Sequence, residues 1–318
     1  MGFLKVIETK YSLKENIFDR IIRFFVLFIY NIRSKFHKVR FTQFVNEVSF
    51  CRKLEVLEGS QSNYVVTCYF TKLKDPQHGI VRNKSNFNYI KPWYNSVTKL
   101  SLNGIIVHDG LDAEFINQYQ TDNIKFLKYT PGQYSIFEER WMAYFLLLKS
   151  NPEIQNTFFT DGNDVTVNFD PFKRHLTPRT LFVGRDQINR VGDSKWVIDE
   201  MNTFIEESGY KVSPTIVYQS LFNAGLVGGQ RKVLLSLLSK IVELTLQAET
   251  DKHKDMSLLN IAIHEIFKPK LNLQYYQEKL TNADDDFAYS LKGIVTGALF
   301  NSPFKLFEEN SKSTFSHK

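Results

Sequence analysis

Apolar positions along the chain follow two patterns, and the way they alternate predicts the fold class. Tyr64 to Phe70 is rich in β-branched and aromatic residues without polar alternation, which predicts a strand covered on both faces. Leu102 to Asp109 reads as a second buried strand ending in polar groups, and Phe126 to Tyr129 as a short third. Between them Asp112 to Tyr119 can form a helix. Ser135 to Lys149 repeats apolar residues at helical spacing through Trp141, Tyr144, Phe145 and Leu148 before the breaker Asn151-Pro152. Asn156 to Thr160 is the next strand. A strand at Leu181–Val183, a glycine-bearing run from Leu221 to Gly229 and an amphipathic helix from Arg231 to about Gln247 follow, and the last seventy residues read as helical or irregular. This alternation predicts an α/β domain with a mostly parallel central sheet flanked by helices, its ligand bound beyond the carboxyl ends of the strands.

Turn formers at Gly59-Ser60-Gln61-Ser62-Asn63 separate a helical, basic and aromatic extension (1–58) from the main domain (59–310), which a polar tail (311–318) follows. Lys72 to Lys91 carries Pro, Gly, Asn and charge, so it reads as a long loop at a strand end, where substrates often bind. With 318 residues, 43% of them hydrophobic and 23% charged, a largely disordered chain is excluded. Cys51 and Cys68 are the only cysteines, and the expectation is a reducing compartment without disulfides.

The segment from Ile17 to Ile32 is interrupted by Asp19, Arg20 and Arg23, leaving an uncharged part too short to cross about 30 Å of hydrocarbon. Arg33, Lys35, Lys38 and Arg40 follow it. Residues 17–40 could therefore lie in the headgroup region of an anionic membrane, or form a helix packed on the domain or on a partner. No secretory signal is recognisable, so the expected location is the cytoplasm, with peripheral contact at the inner face of a membrane as the extension of that reading. The net charge of +6 suits an acidic partner. The cations are spread along the chain and no nucleic-acid module appears, which argues against DNA or RNA.

The strand Asn156–Thr160 runs directly into Asp161-Gly162-Asn163-Asp164. Carboxylates at a strand end supply the hard oxygen ligands that Mg²⁺ or Mn²⁺ needs to grip a diphosphate. Gly162 permits a sharp turn between them, and Asn163 adds an amide within reach of ribose or phosphate. The bland alternative is a hydrogen-bonded turn, for which Asp-Gly-Asn is an excellent composition. Asn223-Ala224-Gly225 and Gly228-Gly229 could form a wall that a sugar approaches closely, or a site where a helix crosses a strand. No P-loop pattern accompanies the glycines.

The order FFTDGNDVTV, SLFNAGLVGG and DMSLLN resembles the GT-A glycosyltransferases over roughly residues 62–267. The resemblance implies a GT-A-like fold and a hexosyltransferase-like enzyme of polysaccharide or glycan synthesis. It would use a nucleotide-sugar donor, UDP-linked, with Mn²⁺ or Mg²⁺, and a glycan or lipid-linked saccharide as acceptor. Asp164 would be the main metal ligand and Asp161 would face the nucleotide. Two residues separate these acids where the common motif has one. Thr71, Lys72 and Asp75, with His108 and Asp109, would lie near base, ribose and phosphate, and Asn223, Ala224, Gly225 and Gly228 near the donor sugar. Asp255 would act on the donor sugar, with Asp186 competing as acceptor ligand or base; both could equally be helix caps or loop residues. Lys292 would neutralise phosphate. Two other functions fit the same acids: a metal-dependent phosphodiesterase or nucleotidyltransferase, and a non-catalytic sugar-binding relative.

Overall fold

The computed structural model describes residues 52–59, 61–173, 180–248, 253–266, 291–292, 299–301, 304–306 and 314–317; side chains at 180, 185–189, 291–306 and 317 are outside that description. The segment 17–40 assigned to membrane contact is outside it as well. Among the described residues no helix is long and apolar enough to cross a membrane.

The first half of the chain alternates as expected: β1 (Lys53–Leu54), β2 (Asn63–Tyr69), α1 (Lys91–Lys99), β3 (Gly104–His108), α2 (Ala113–Tyr119), β4 (Ile124–Thr130), α3 (Ile136–Ser150) and β5 (Asn156–Thr160). There follow β6 (Val165–Val167), β7 (Thr180–Arg190), α4 (Lys195–Ser208), β8 (Ser220–Gln230), α5 (Arg231–Gln247) and α6 (Asp255–Ile266). Four short strands complete it: β9 (Leu291–Lys292), β10 (Leu299–Asn301), β11 (Phe304–Leu306) and β12 (Phe315–His317).

The central sheet has the order β1-β4-β3-β2-β5-β8-β7-β10-β9. Strands β4, β3, β2 and β5 run parallel, β8 runs antiparallel between β5 and β7, and β1 and β9 close the edges antiparallel. Successive side chains of a strand point to opposite faces, and here both faces are apolar. Tyr64 and Val66 join Ile105, Val107 and Phe159 in a layer completed by α3, α5 and α6. Val65 and Tyr69 join Ile106, Phe126 and Phe158 in a second layer with Trp93 and Val97 of α1 and Phe115 of α2.

The carboxyl-terminal region departs from the expectation of helix or irregular chain. It contributes β9 and β10 to the main sheet, and β12 pairs antiparallel with β6 in a small three-stranded sheet. Phe315, in the stretch that composition marks as a polar tail, is fully buried with its ring 5.2 Å from that of Phe158. One apolar residue in a polar stretch gives no period to read, and its burial depends on a distant neighbour. The sheet likewise takes in Lys53–Leu54, upstream of the turn at Gly59.

Gly228 shows why β8 is rich in small residues. It is paired with Phe158 on one side and Phe182 on the other. A Cβ there would lie 2.1 Å from Cδ1 of the Phe158 ring. The residue serves close packing of two aromatic strands. Overpacking a filled core costs about 1–3 kcal/mol, so Gly228→Ala is expected to lower the urea midpoint by that equivalent with an unchanged m-value; an unaltered midpoint would contradict this packing.

Candidate functional site

The chain builds β2, β3 and β4 outward in one direction, then returns through α3 to place β5 on the other side of β2. Connections therefore diverge between the carboxyl ends of β2 and β5, which is where open parallel sheets leave a crevice. A cavity lies there. Thr67 and Cys68 of β2, Asp75 and Arg82 of the following loop, Arg140 of α3 and the run Asp161–Asp164 after β5 all line it.

Asp161 is held at the cavity through both its backbone and its carboxylate. Its backbone N–H donates to the Gly225 carbonyl at 3.0 Å, so the glycine-bearing strand fixes the acidic turn. Its carboxylate is ion-paired with Nη1 of Arg140, and its side chain remains 27% exposed. Gly162 lets the turn lie close to β2, because a Cβ there would stand 2.8 Å from Thr67 Oγ1. Asp164 and Asn163 line the same cavity.

Arg140 reaches this position because α3 is buried around its circumference, with twelve of fifteen residues inside. Its three consecutive charged residues, Glu138, Glu139 and Arg140, are therefore buried too, and each needs a partner. Nη2 of Arg140 pairs with Asp255, the first residue of α6. Asp255 in turn meets Nε2 of His253, whose Nδ1 lies 3.8 Å from Glu200 of α4. Burial pushes the Asp255 carboxyl up, but His253 and Arg140 more than offset it and hold it well below the usual carboxylate range. Burial lowers the His253 imidazolium, yet Asp255 and Glu200 raise it to about 9. Glu200 is pushed up, first by burial and then by Asp255. Glu138 is raised for the same two reasons and accepts the Lys254 backbone N–H at 2.8 Å. The ligand atoms of Glu200, His253 and Asp255 all lie within 4.8 Å of one another, a spacing that could hold a metal ion.

The loop after β2 folds over the cavity through an antiparallel bridge between Lys74 and Val81. Asp75 is buried and organises it, accepting from Gln77 N at 2.9 Å and from Arg82 Nη2 at 2.8 Å. Burial alone would raise its carboxyl; His78, the loop amides and Arg82 lower it. The Arg82 guanidinium stacks 4.7 Å over the ring of Tyr89. Burial also pushes the Cys68 thiol up to about 12, so it sits in the cavity wall as a neutral group.

An acidic strand end at the reversal of a mostly parallel sheet, backed by a glycine-bearing strand and an aspartate-led helix, is the arrangement that the sequence resemblance implies. The fold is α/β, with a largely parallel central sheet flanked by helices. No family model and no curated protein matches the sequence. Among solved structures, the chain is similar to a galactosyltransferase, LgtC, crystallised with donor and acceptor sugar analogues: identity is 14% and the TM-score 0.42, over 62% of this chain and 69% of that one. An active-site mutant of LgtC matches with 15% identity and a TM-score of 0.41 over the same shares.

Within this α/β domain the sequence candidates separate. Asp75, Asp161, Asn163 and Asp164 meet at the cavity, whereas Thr71, Lys72, His108 and Asp109 are not part of its lining. Asp109 joins two strand ends, accepting from Thr71 N at 2.6 Å and Lys72 N at 2.9 Å. His108 Nδ1 accepts from Leu111 N at 3.2 Å, and burial pushes the ring down to about 4. Asn223 accepts from Gly225 N at 2.7 Å, and Ala224 N donates to the Met256 sulfur at 3.2 Å. Asn260 of the DMSLLN run bonds both the N–H and the carbonyl of Phe222, each at 2.9 Å, tying α6 to β8. Asp186 lies within β7 and Lys292 within β9; their side chains are outside the described set.

The cavity arginines, His253 and Glu200 were not among the sequence candidates. One signal was available for Arg140: three charged residues inside a helix whose other positions are almost all apolar. His253 and Glu200 carry no such mark, since each meets Asp255 only after the chain has folded.

Proposed function

We propose that this chain is a glycosyltransferase, hexosyltransferase-like, moving a sugar from a nucleotide-diphosphate donor, UDP-linked, to a hydroxyl of a glycan or lipid-linked acceptor. The observation supporting this most directly is that Asp161 and Asp164 converge with Arg82 and Arg140 on one cavity at the crossover of a parallel sheet. Carboxylates and guanidinium groups together suit a site that holds a metal–diphosphate pair: the acids attract the cation and the arginines meet phosphate oxygens.

The donor set fits a hard divalent ion, Mn²⁺ or Mg²⁺, which is commonly held by one or two carboxylates with phosphate and water completing its shell. Asp164 is assigned as the main ligand. Asp161 is the second, because one oxygen is engaged by Arg140 while the side chain keeps access to the cavity. When bound, such an ion offsets charge that develops on the leaving diphosphate. Arg140 orients Asp161, and Asp255 acts through Arg140 as a positioning residue. Arg82, anchored by Asp75, supplies a further cation beside the phosphates. A lipid-linked acceptor would place the cytoplasmic chain at a membrane surface, where the cationic segment 17–40 offers the contact.

The test is a thermal-shift series with UDP-glucose, UDP-galactose and their N-acetyl derivatives, with and without Mn²⁺, followed by assay for released UDP with saccharide acceptors. One donor class is expected to stabilise the wild type by about 2.7 kcal/mol at a hundredfold excess over its Kd, only with Mn²⁺ present. Asp164→Ala should remove that stabilisation and the turnover. Equal stabilisation of Asp164→Ala, or turnover that survives it, would refute the assignment.

A further inference from the structure

The charged groups behind the cavity form an alternating chain: Asp161, Arg140, Asp255, His253, Glu200. Arg140 stands between two carboxylates and uses one terminal nitrogen on each. How strongly it holds Asp161 depends on how much of its charge Asp255 claims. His253 bears on that division, because Nε2 engages the Asp255 oxygen that Arg140 does not. Its other nitrogen faces Glu200, whose Oε1 is buried and accepts no hydrogen bond. Nε2 thus holds Asp255, while Nδ1 also lies 3.4 Å from the side-chain nitrogen of Gln77, a residue of the cavity wall. The ring is also clamped: Phe137, itself on the cavity wall, stacks on it at 4.1 Å, and Trp196 packs edge-on at 5.4 Å.

We infer that His253 is a positioning residue of the donor site, holding Asp255 so that Arg140 stays aligned on Asp161 at the cavity. Without it, Asp255 and Glu200 share a buried space with Glu138, and Arg140 is already paired with one oxygen of Asp255. Arg140 would then close on both oxygens of Asp255 and release Asp161. The effect on donor binding rests on the function proposed above; the geometry of Arg140 does not.

Two variants test it. His253→Phe keeps the ring between Phe137 and Trp196 and removes both ring nitrogens, while His253→Gln keeps a donor toward Asp255. Crystal structures are expected to show Arg140 moved off Asp161 in His253→Phe and retained in His253→Gln. Affinity for UDP–Mn²⁺, by calorimetry, should fall about tenfold in His253→Phe, about twofold in His253→Gln, and no further when His253→Phe is added to Arg140→Met, as coupled sites require. Arg140 unmoved in His253→Phe overturns the inference, as does an equal loss of affinity in the Arg140→Met background. So does stabilisation of the wild type by Zn²⁺ or Mn²⁺ alone that His253→Phe abolishes, which would make the cluster a metal site. Should His253→Phe not fold, His253→Leu, which also removes the donor to Asp255, takes its place under the same criteria. A wild type that fails to bind UDP–Mn²⁺ refutes the donor reading, and the position of Arg140 still judges the role of His253.

Discussion

Arg140→Met is expected to lose about 3–5 kcal/mol of stability, the usual result of removing one partner from a buried ion pair. Here the cation leaves two acids at once, Asp161 and Asp255, the second almost fully buried. For a chain of this size the loss corresponds to a fall in Tm of roughly 10 °C. Methionine keeps the unbranched stem packed against Trp141, whose ring lies 5.0 Å from the Arg140 guanidinium, so the change isolates the charge. Arg140→Lys should recover only part of the loss, because a single ammonium cannot span both carboxylates.

The pH dependence has a defined sign. The Asp255 carboxyl is lowered in the folded protein, so its contribution is present above the ordinary carboxylate value, about 4, and is lost as pH falls through its depressed folded value. The difference in stability between wild type and Arg140→Met should therefore be largest above that range and close as pH drops below it. Denaturant titrations across acidic pH measure this. A difference that grows on acidification would show that Arg140 is not stabilising ionised Asp255.

Glu139→Gln is expected to be comparably destabilising while leaving the cavity intact. Glu139 is fully buried, and Arg52 donates to both of its oxygens, Nε at 2.9 Å and Nη2 at 2.8 Å. Tyr129 adds its hydroxyl at 2.5 Å. The amide replaces one acceptor by a donor aimed at donors, and it leaves the Arg52 charge buried without a counter-ion. That places the cost at about 3–5 kcal/mol. Adding Arg52→Met should restore part of it, and the double-mutant cycle gives the coupling. Donor affinity is the control, because neither Arg52 nor Glu139 lines the cavity. An additive double mutant, or a donor site lost with Glu139→Gln, would contradict this separation.

The same helix explains how legible the protein was. Its extent, like that of α5, followed from apolar residues at helical spacing, and that of β2, β3 and β5 from unbroken apolar runs, because these elements are buried and burial writes itself into residue type. Where the acidic turn would lie also followed, since a run of acids after a buried strand in βαβ alternation falls at the carboxyl edge of a parallel sheet. The strands after β8 did not follow: β9 to β12 are short, and Phe315 is one apolar residue whose cover comes from β6 and β5.

The role of each charge was beyond local pattern. Asp109, His108 and Asn223 looked like ligands by residue type, and the fold uses them to join strand ends and hold a backbone turn. Conversely Arg140 looked like one polar residue in a helix and became the bridge between Asp161 and Asp255, 21 and 115 positions away. From sequence the chain thus dictates its buried strands and helices, and with them the edge at which Asp161 and Asp164 stand, because hydrophobic periodicity acts over neighbouring positions. Which cation meets which carboxylate is settled only by packing, because ion pairing depends on distance in space and the partners come from separate elements that meet once the core has closed.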